Sequence, residues 1–114
     1  ISGFHPRGHG TFAKIIEKYV VQEKLLKLEE AVRKMTSFSA NVLGIHDRGT
    51  LEVGMKADIN IFEPNNVRAL ATYPNPFVLA EGFDIVLVNG KKAWQDQNQS
   101  QQLWGRVLRP ENIR

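Results

Sequence analysis

The hydrophobic pattern of the chain changes its period near Gly49, and this change limits the folds that are open to it. Before Gly49, apolar residues recur every three to four positions, as they do along amphipathic helices. After Gly49, short apolar runs lie between Gly, Pro and Asn residues, as they do in strands joined by turns. Because the helices come first and the strands follow, the chain is predicted to be an α+β protein.

Two apolar stripes predict the main helices. The first stripe predicts a helix over residues 12–22 and consists of Phe12, Ile15, Ile16, Tyr19 and Val20. The second predicts a helix over residues 28–36 and consists of Leu28, Ala31, Val32 and Met35. A third, short helix is expected over residues 40–43, and it should end at Gly44 because glycine readily takes the left-handed conformation that closes a helix.

The strand signals lie in the second half of the chain. Residues 57–63 alternate in polarity up to Pro64 and are predicted to form a strand. Residues 84–94 are predicted to form a β-hairpin that turns at Asn89-Gly90, because this dipeptide favours the two-residue turns of hairpins. Residues 67–82 should form a loop, and the Gln-rich residues 95–102 a mobile polar excursion.

Composition excludes several classes of protein. The chain has 114 residues, enough for one core but fewer than half of the roughly 250 that a (β/α)₈ barrel needs. It contains no cysteine, so a disulfide-stapled secreted fold is excluded, and it has neither a signal-like start nor a membrane-spanning apolar run. We expect a cytoplasmic protein without a membrane partner. Since the chain opens with Ile1 in a loop-like stretch, a piece of something longer is also expected.

Positive charge is modest and dispersed. The net charge is +3, and the Lys and Arg residues interleave with Glu along the predicted helices. Such interleaving is typical of a solvated helix face, so no nucleic-acid partner is expected. The aromatic residues are therefore interpreted as packing in a core or at a domain interface and not as base-stacking groups; they include Tyr73, Phe77, Trp94 and Trp104.

A cationic, glycine-rich segment precedes the first helix. Residues 5–10 read His-Pro-Arg-Gly-His-Gly, a composition that predicts a loop, with Thr11 capping the helix that follows. Free backbone N–H groups at a helix start attract anions, and the planar guanidinium of Arg7 adds two parallel donors. The segment is a candidate site for a carboxylate.

Histidine and aspartate residues invite other interpretations. His5 and His9 could suggest zinc, but a Gly/Pro loop would not bring them together and no Cys, Asp or Glu lies nearby to complete a ligand set. We therefore expect no metal site in this chain. Asp47 and Asp58 stand in turn and strand-start contexts, which favour hydrogen bonding to the backbone over general-base catalysis.

Several segments together resemble one family. In chain order they are HPRGHGTF (5–12), LEEAVRKMTS (28–37), DRGTLEVGMKADINIFEP (47–64), ATYPNP (71–76), EGFDIVLVNGK (81–91) and GRVLRP (105–110). They are similar to the C-terminal end of D-aminoacylases (N-acyl-D-amino-acid deacylases), members of the amidohydrolase superfamily. The long strand segments point to the superfamily, and HPRGHGTF points to the D-aminoacylase branch.

The resemblance implies an architecture and indicates which functional residues this chain would contain. Residues 1–46 would be the loop and helices that end a metallohydrolase (β/α)₈ barrel, and residues 47–114 part of a small β-sandwich with a polar tail. The family's catalytic residues and the ligands for zinc or a similar divalent metal lie upstream, so this chain would contain no catalytic residue and no cofactor. Arg7 would contact the carboxylate of a small N-acyl amino acid, so that the segment serves as scaffold and substrate contact.

Two alternatives stay open. The chain could be a stand-alone binding or assembly module without catalysis, such as a homo-oligomer, because helices and strands cut from a larger fold would leave apolar faces and open sheet edges. It could also be a small basic nucleic-acid binder, which the interleaved charges disfavour. The deacylase fragment is the leading interpretation.

Overall fold

A computed structural model describes residues 5–109 of the chain. Helix α1 spans Arg7–Lys14 and continues without a break in the wider π-helical geometry over Ile15–Gln22. The predicted helix over residues 12–22 is confirmed, but the prediction that Thr11 caps its start is wrong. Pro6 takes the N-cap position with φ −58° and ψ −21°, so the ring that breaks a helix interior instead starts one at Arg7.

A second helical segment follows. Helix α2 spans Leu28–Arg33, a π-helical stretch spans Lys34–Phe38, and α3 spans Ser39–Val42. The predicted helix over 28–36 and the short helix near 40–43 are both confirmed, although they form one continuous segment. Thr36 and Ser39 donate their side-chain hydroxyls to the carbonyls of Val32 and Lys34, each at 2.6 Å. Such hydroxyls compete with backbone donors and bend helices, which fits the widened turns.

The strands form one four-stranded sheet in the order β1-β2-β3-β4. Their bounds are Ile59–Phe62, Phe83–Val88, Lys91–Gln95 and Asn98–Gln99, and a 3₁₀ turn, Pro64–Asn66, follows β1. Strands β2 and β3 pair antiparallel and turn at Asn89 and Gly90, whose φ angles of 51° and 77° are both positive, as a type I′ turn requires. The predicted strand and hairpin are confirmed.

The expectation for residues 95–102 is wrong in part. β3 extends to Gln95, and β4 pairs antiparallel with it through the partners Trp94–Gln99 and Gln95–Asn98. Asp96 and Gln97 form the turn with φ angles of 51° and 64°. Aspartate tolerates this left-handed region better than most residues, so a second hairpin forms where the sequence shows no Asn-Gly pair.

The described residues divide into two compact units. One contains the chain up to Ala31 together with residues 62–83, and the other contains Val32–Ile61 together with the chain from Asp84 onward. The buried apolar residues are few and all belong to the first unit: Ala13, Ile16, Ala31 and Val67.

A polar cluster organises the second unit. The guanidinium of Arg48, whose side chain is only 14% exposed, pairs with Asp58 and donates to Asn89 Oδ1 at 2.8 Å. Asp58 Oδ1 also accepts the Asn89 backbone N–H at 2.8 Å, and the Asn89 side chain donates to the Trp104 carbonyl at 2.8 Å. The expected backbone hydrogen bonding of Asp58 is therefore observed, and it fixes the hairpin turn.

Two glycines with the same backbone angle offer a matched test of packing. Gly82 and Gly54 both have φ +94°, but a Cβ on Gly82 would overlap the Asn66 carbonyl, whereas a Cβ on Gly54 would meet nothing within 4 Å. Gly54→Ala should cost about 1–2 kcal/mol for the left-handed angle alone. Gly82→Ala should cost about 1–3 kcal/mol more, because the 67–82 loop must move. Urea unfolding of the two variants measures the difference; equal destabilisation would show that the Gly82 contact relaxes freely.

Candidate functional site

The guanidinium of Arg7 is presented at the start of helix α1. Arg7 is the first residue of the helix, and its side chain is exposed. Within residues 5–109, the guanidinium makes neither a hydrogen bond nor an ion pair. Its backbone is nevertheless well held, because the Arg7 N–H donates to His5 Nδ1 at 3.1 Å and the Arg7 carbonyl accepts the Thr11 hydroxyl at 2.8 Å. The side chain is thus available to an external anion.

The backbone amides of the same turn are not available in this way. The N–H groups of Gly8, His9 and Gly10 donate to the carbonyls of His5 and Pro6 at 3.0–3.3 Å. The expectation that free amides would help to hold a carboxylate is therefore wrong for these residues. They close the first turn instead, so these three amides are not free to bind an anion.

Two aromatic residues of the 67–82 loop contact the two histidines. His5 Nε2 lies 3.0 Å from the Tyr73 hydroxyl, and the two rings meet edge-on with centroids 5.0 Å apart. His9 meets Phe77 in the same manner, with centroids 5.8 Å apart. Tyr73 and Phe77 are 74% and 57% exposed, so they do not pack in a core of the described residues, and the predicted alternative of a domain interface stays a prediction. The two histidines, which flank Arg7 in the sequence, thus each contact one aromatic ring of the 67–82 loop.

Helix α1 and its π-helical continuation hold the loop that carries Tyr73 and Phe77. Glu17 Oε2 accepts the Ala69 N–H at 2.7 Å, and a Cβ on Gly10 would stand only 3.4 Å from the Ala71 Cβ. Val67 is fully buried, and Arg68 and Glu81 pair their backbones at the base of the loop. Sequence reasoning missed Glu17, although a carboxylate on the same helical face as Ala13 and Ile16 was a usable signal.

No metal centre is found in the part of the chain that the structure covers. Over residues 5–109, there is no group of three or more His, Cys, Asp or Glu side chains that could hold a metal ion. His5 and His9 contact different aromatic rings instead. The same residues include no helix long and apolar enough to span a bilayer.

Comparison with known proteins gives consistent matches. A family model described as the amidohydrolase family matches residues 5–93. The N-acyl-D-aspartate deacylase of Alcaligenes xylosoxydans xylosoxydans is 38% identical over 106 residues, which are 93% of this chain and 21% of that protein. The crystal structure of a D-aminoacylase superposes with a TM-score of 0.86 at 40% identity, covering 90% of this chain and 22% of the other.

A third match includes a metal and an inhibitor. The structure of N-acyl-D-glutamate deacylase from Bordetella bronchiseptica contains zinc and a phosphonate that mimics the tetrahedral intermediate of its reaction. It superposes with a TM-score of 0.77 at 37% identity, covering 82% of this chain and 20% of that one. The chain thus spans about a fifth of the length of the proteins it matches.

The hydrogen bond between Glu17 and the loop can be tested by substitution. Glu17→Ala removes the acceptor of the Ala69 N–H and should destabilise the protein by about 1–3 kcal/mol, the cost of leaving a part-buried donor unpaired. Glu17→Gln keeps an acceptor oxygen and should cost less. Glu23→Ala is the matched control, because its 3.8 Å pair with Lys18 is exposed and should contribute about 0–1 kcal/mol. Chemical denaturation compares the three; equal effects of Glu17→Ala and Glu23→Ala would contradict the assignment.

Proposed function

Because the chain belongs to the amidohydrolase family, we propose that it is the C-terminal part of a metal-dependent hydrolase that acts on N-acyl D-amino acids. The family match over residues 5–93 and the 40% identity to a D-aminoacylase confirm the predicted resemblance. The relatives named above act on N-acyl-D-aspartate and N-acyl-D-glutamate, which supports a small, carboxylate-bearing amide as the substrate.

The observation that carries this proposal is the exposed guanidinium of Arg7, which has no partner within residues 5–109. An N-acyl amino acid has no charged amine, so its carboxylate is the group by which a protein can hold it most firmly. A guanidinium binds a carboxylate through two parallel N–H donors, which fixes orientation as well as position. Arg7 would hold the substrate so that its acyl carbon stays in place for hydrolysis.

We assign residues 1–46 to the end of a (β/α)₈ barrel and residues 47–114 to part of a β-sandwich. Support comes from the order of elements, since the α-helices precede residue 47 and the strands follow it. The rest of the barrel would lie in the four fifths of the relatives that this chain does not span. Zinc or a similar ion would be bound there too, because residues 5–109 offer no suitable ligand group.

A second candidate function is assembly. Many large apolar side chains of the second unit are exposed, and those exposed by more than three quarters are Leu51, Val53, Leu103 and Val107. Such residues favour contact with another surface, either the remainder of a longer protein or a second copy of this chain. The homo-oligomeric, non-catalytic module therefore stays the alternative to the deacylase fragment.

The role of Arg7 predicts a selective loss of activity in the full-length enzyme. Arg7→Ala should lower kcat/KM for an N-acetyl-D-amino acid roughly ten- to a hundredfold, since a hydrogen bond to a charged group contributes about 1.5–3 kcal/mol. The carboxamide analogue of that substrate, assayed by turnover or as a competitive inhibitor, should be unaffected. The melting temperature should hardly change, because Thr11 and His5 bond the Arg7 backbone and not its side chain.

Two further variants sharpen this experiment. Arg7→Lys keeps the charge without the two-pronged donor and should fall between wild type and Arg7→Ala. Lys14→Ala removes one positive charge from the same helix. It should leave the activities toward the carboxylate substrate and the carboxamide analogue within about twofold of wild type. Equal losses for the carboxylate and the carboxamide, or a large drop in melting temperature, would make Arg7 a structural residue and remove the main support for the proposal.

A further inference from the structure

His5 joins Arg7 to Tyr73 through a short chain of hydrogen bonds. The Arg7 backbone N–H donates to His5 Nδ1 at 3.1 Å, and His5 Nε2 lies 3.0 Å from the Tyr73 hydroxyl oxygen. Arg7 and Tyr73 are 66 positions apart in sequence, yet a single imidazole ring separates the backbone of one from the hydroxyl of the other. The fold therefore brings the backbone of Arg7 close to the phenol of Tyr73 within one unit.

The direction of each hydrogen bond follows from the first one. A backbone N–H can only donate, so His5 Nδ1 must accept and carries no proton. In a neutral imidazole with a bare Nδ1, the proton sits on Nε2. His5 Nε2–H is then the donor to Tyr73, and the Tyr73 oxygen accepts.

This direction leaves the Tyr73 hydroxyl proton for another acceptor. His5 cannot take it, because Nε2 has no free lone pair in this tautomer. Within residues 5–109, the Tyr73 hydroxyl has no other hydrogen-bond partner, and the residue is 74% exposed. A hydroxyl that already accepts a hydrogen bond is also polarised toward donating one. The Tyr73 hydroxyl is thus able to donate a hydrogen bond to a ligand.

We propose that Tyr73 is a second contact of the substrate carboxylate, donating its hydroxyl proton while Arg7 supplies the charge. This inference rests on the carboxylate role of Arg7 proposed above. A carboxylate accepts up to about four hydrogen bonds, so a guanidinium alone does not satisfy it. His5 is the positioning residue, since it holds the Arg7 backbone with one nitrogen and orients the Tyr73 hydroxyl with the other.

Tyr73→Phe in the full-length enzyme is the direct test. The change removes the hydroxyl and keeps the ring that meets His5 edge-on. It should lower kcat/KM for the N-acetyl-D-amino acid about tenfold, mainly through KM, and leave the carboxamide analogue and the melting temperature unchanged. Tyr19→Phe removes another phenol hydroxyl from the same unit, in the π-helical stretch Ile15–Gln22, and should leave kcat/KM for both substrates unchanged.

His5→Asn separates the two hydrogen bonds of the histidine, one with the Arg7 backbone and one with the Tyr73 hydroxyl. An asparagine carbonyl at this position can still accept the N–H two residues ahead, but its side chain is too short to reach Tyr73. The variant should lose about threefold toward the carboxylate substrate only, because the Tyr73 hydroxyl loses its orienting donor. Combined with Tyr73→Phe, it should add no further loss, since the two act through one hydrogen bond.

The outcomes distinguish this inference from the function on which it rests. If Arg7→Ala is selective for the carboxylate but Tyr73→Phe affects both substrates equally, affects neither, or unfolds the protein, Tyr73 is not a substrate contact. If Arg7→Ala shows no selectivity, the proposed function itself fails. Additive losses in the double variant would overturn the positioning role of His5 while leaving the Tyr73 contact in place.

Discussion

The close approach of the 67–82 loop to helix α1 is the constraint on which the candidate site depends. Glu17 fixes one side of the loop by accepting the Ala69 N–H, and Gly10 lies close to Ala71. Gly82 closes the loop at a point where a side chain would strike the Asn66 carbonyl. These contacts bring Tyr73 to His5, so a residue that would otherwise stand on an isolated loop joins the start of the helix.

Local signals in the sequence were enough to predict most elements. The helix over 12–22 follows from a 3.6-residue apolar period, and the hairpin at Asn89-Gly90 follows from two residues that tolerate positive φ. The helix start was predicted five residues late, because glycine and proline were counted as loop formers. Proline is compatible with a helix start, and Gly10 is buried against Ala71, a contact that no local pattern reveals.

In the candidate site, too, some features follow from the local sequence and others from contacts between distant residues. Arg7 was identified from its segment and from the family resemblance. The neighbouring amides were expected to be free, but they donate to carbonyls of the first turn, because that turn is helical. The contact between His5 and Tyr73 joins residues 68 positions apart, and the hydrogen bond from Ala69 to Glu17 joins residues 52 apart. Such contacts exist only after the chain has folded, so neither spacing nor composition could predict them.

A comparison of three arginines explains why Arg7 stands out. Arg48 is mostly buried and pairs with Asp58 and Asn89, and the Arg68 guanidinium donates to the carbonyls of Asn65 and Val67, each at 2.8 Å. Both guanidinium groups are used within the fold, where they fix a turn or a loop. Arg7 reverses this arrangement: its backbone is bonded on both sides, whereas its charge has no partner within residues 5–109. Holding the backbone fixes the point from which the side chain extends, while the exposed side chain keeps its own rotamer freedom to lose when it binds an anion. This combination of a bonded main chain and an unpaired charge fits the carboxylate-binding role proposed for Arg7, whereas Arg48 and Arg68 use their charges within the fold.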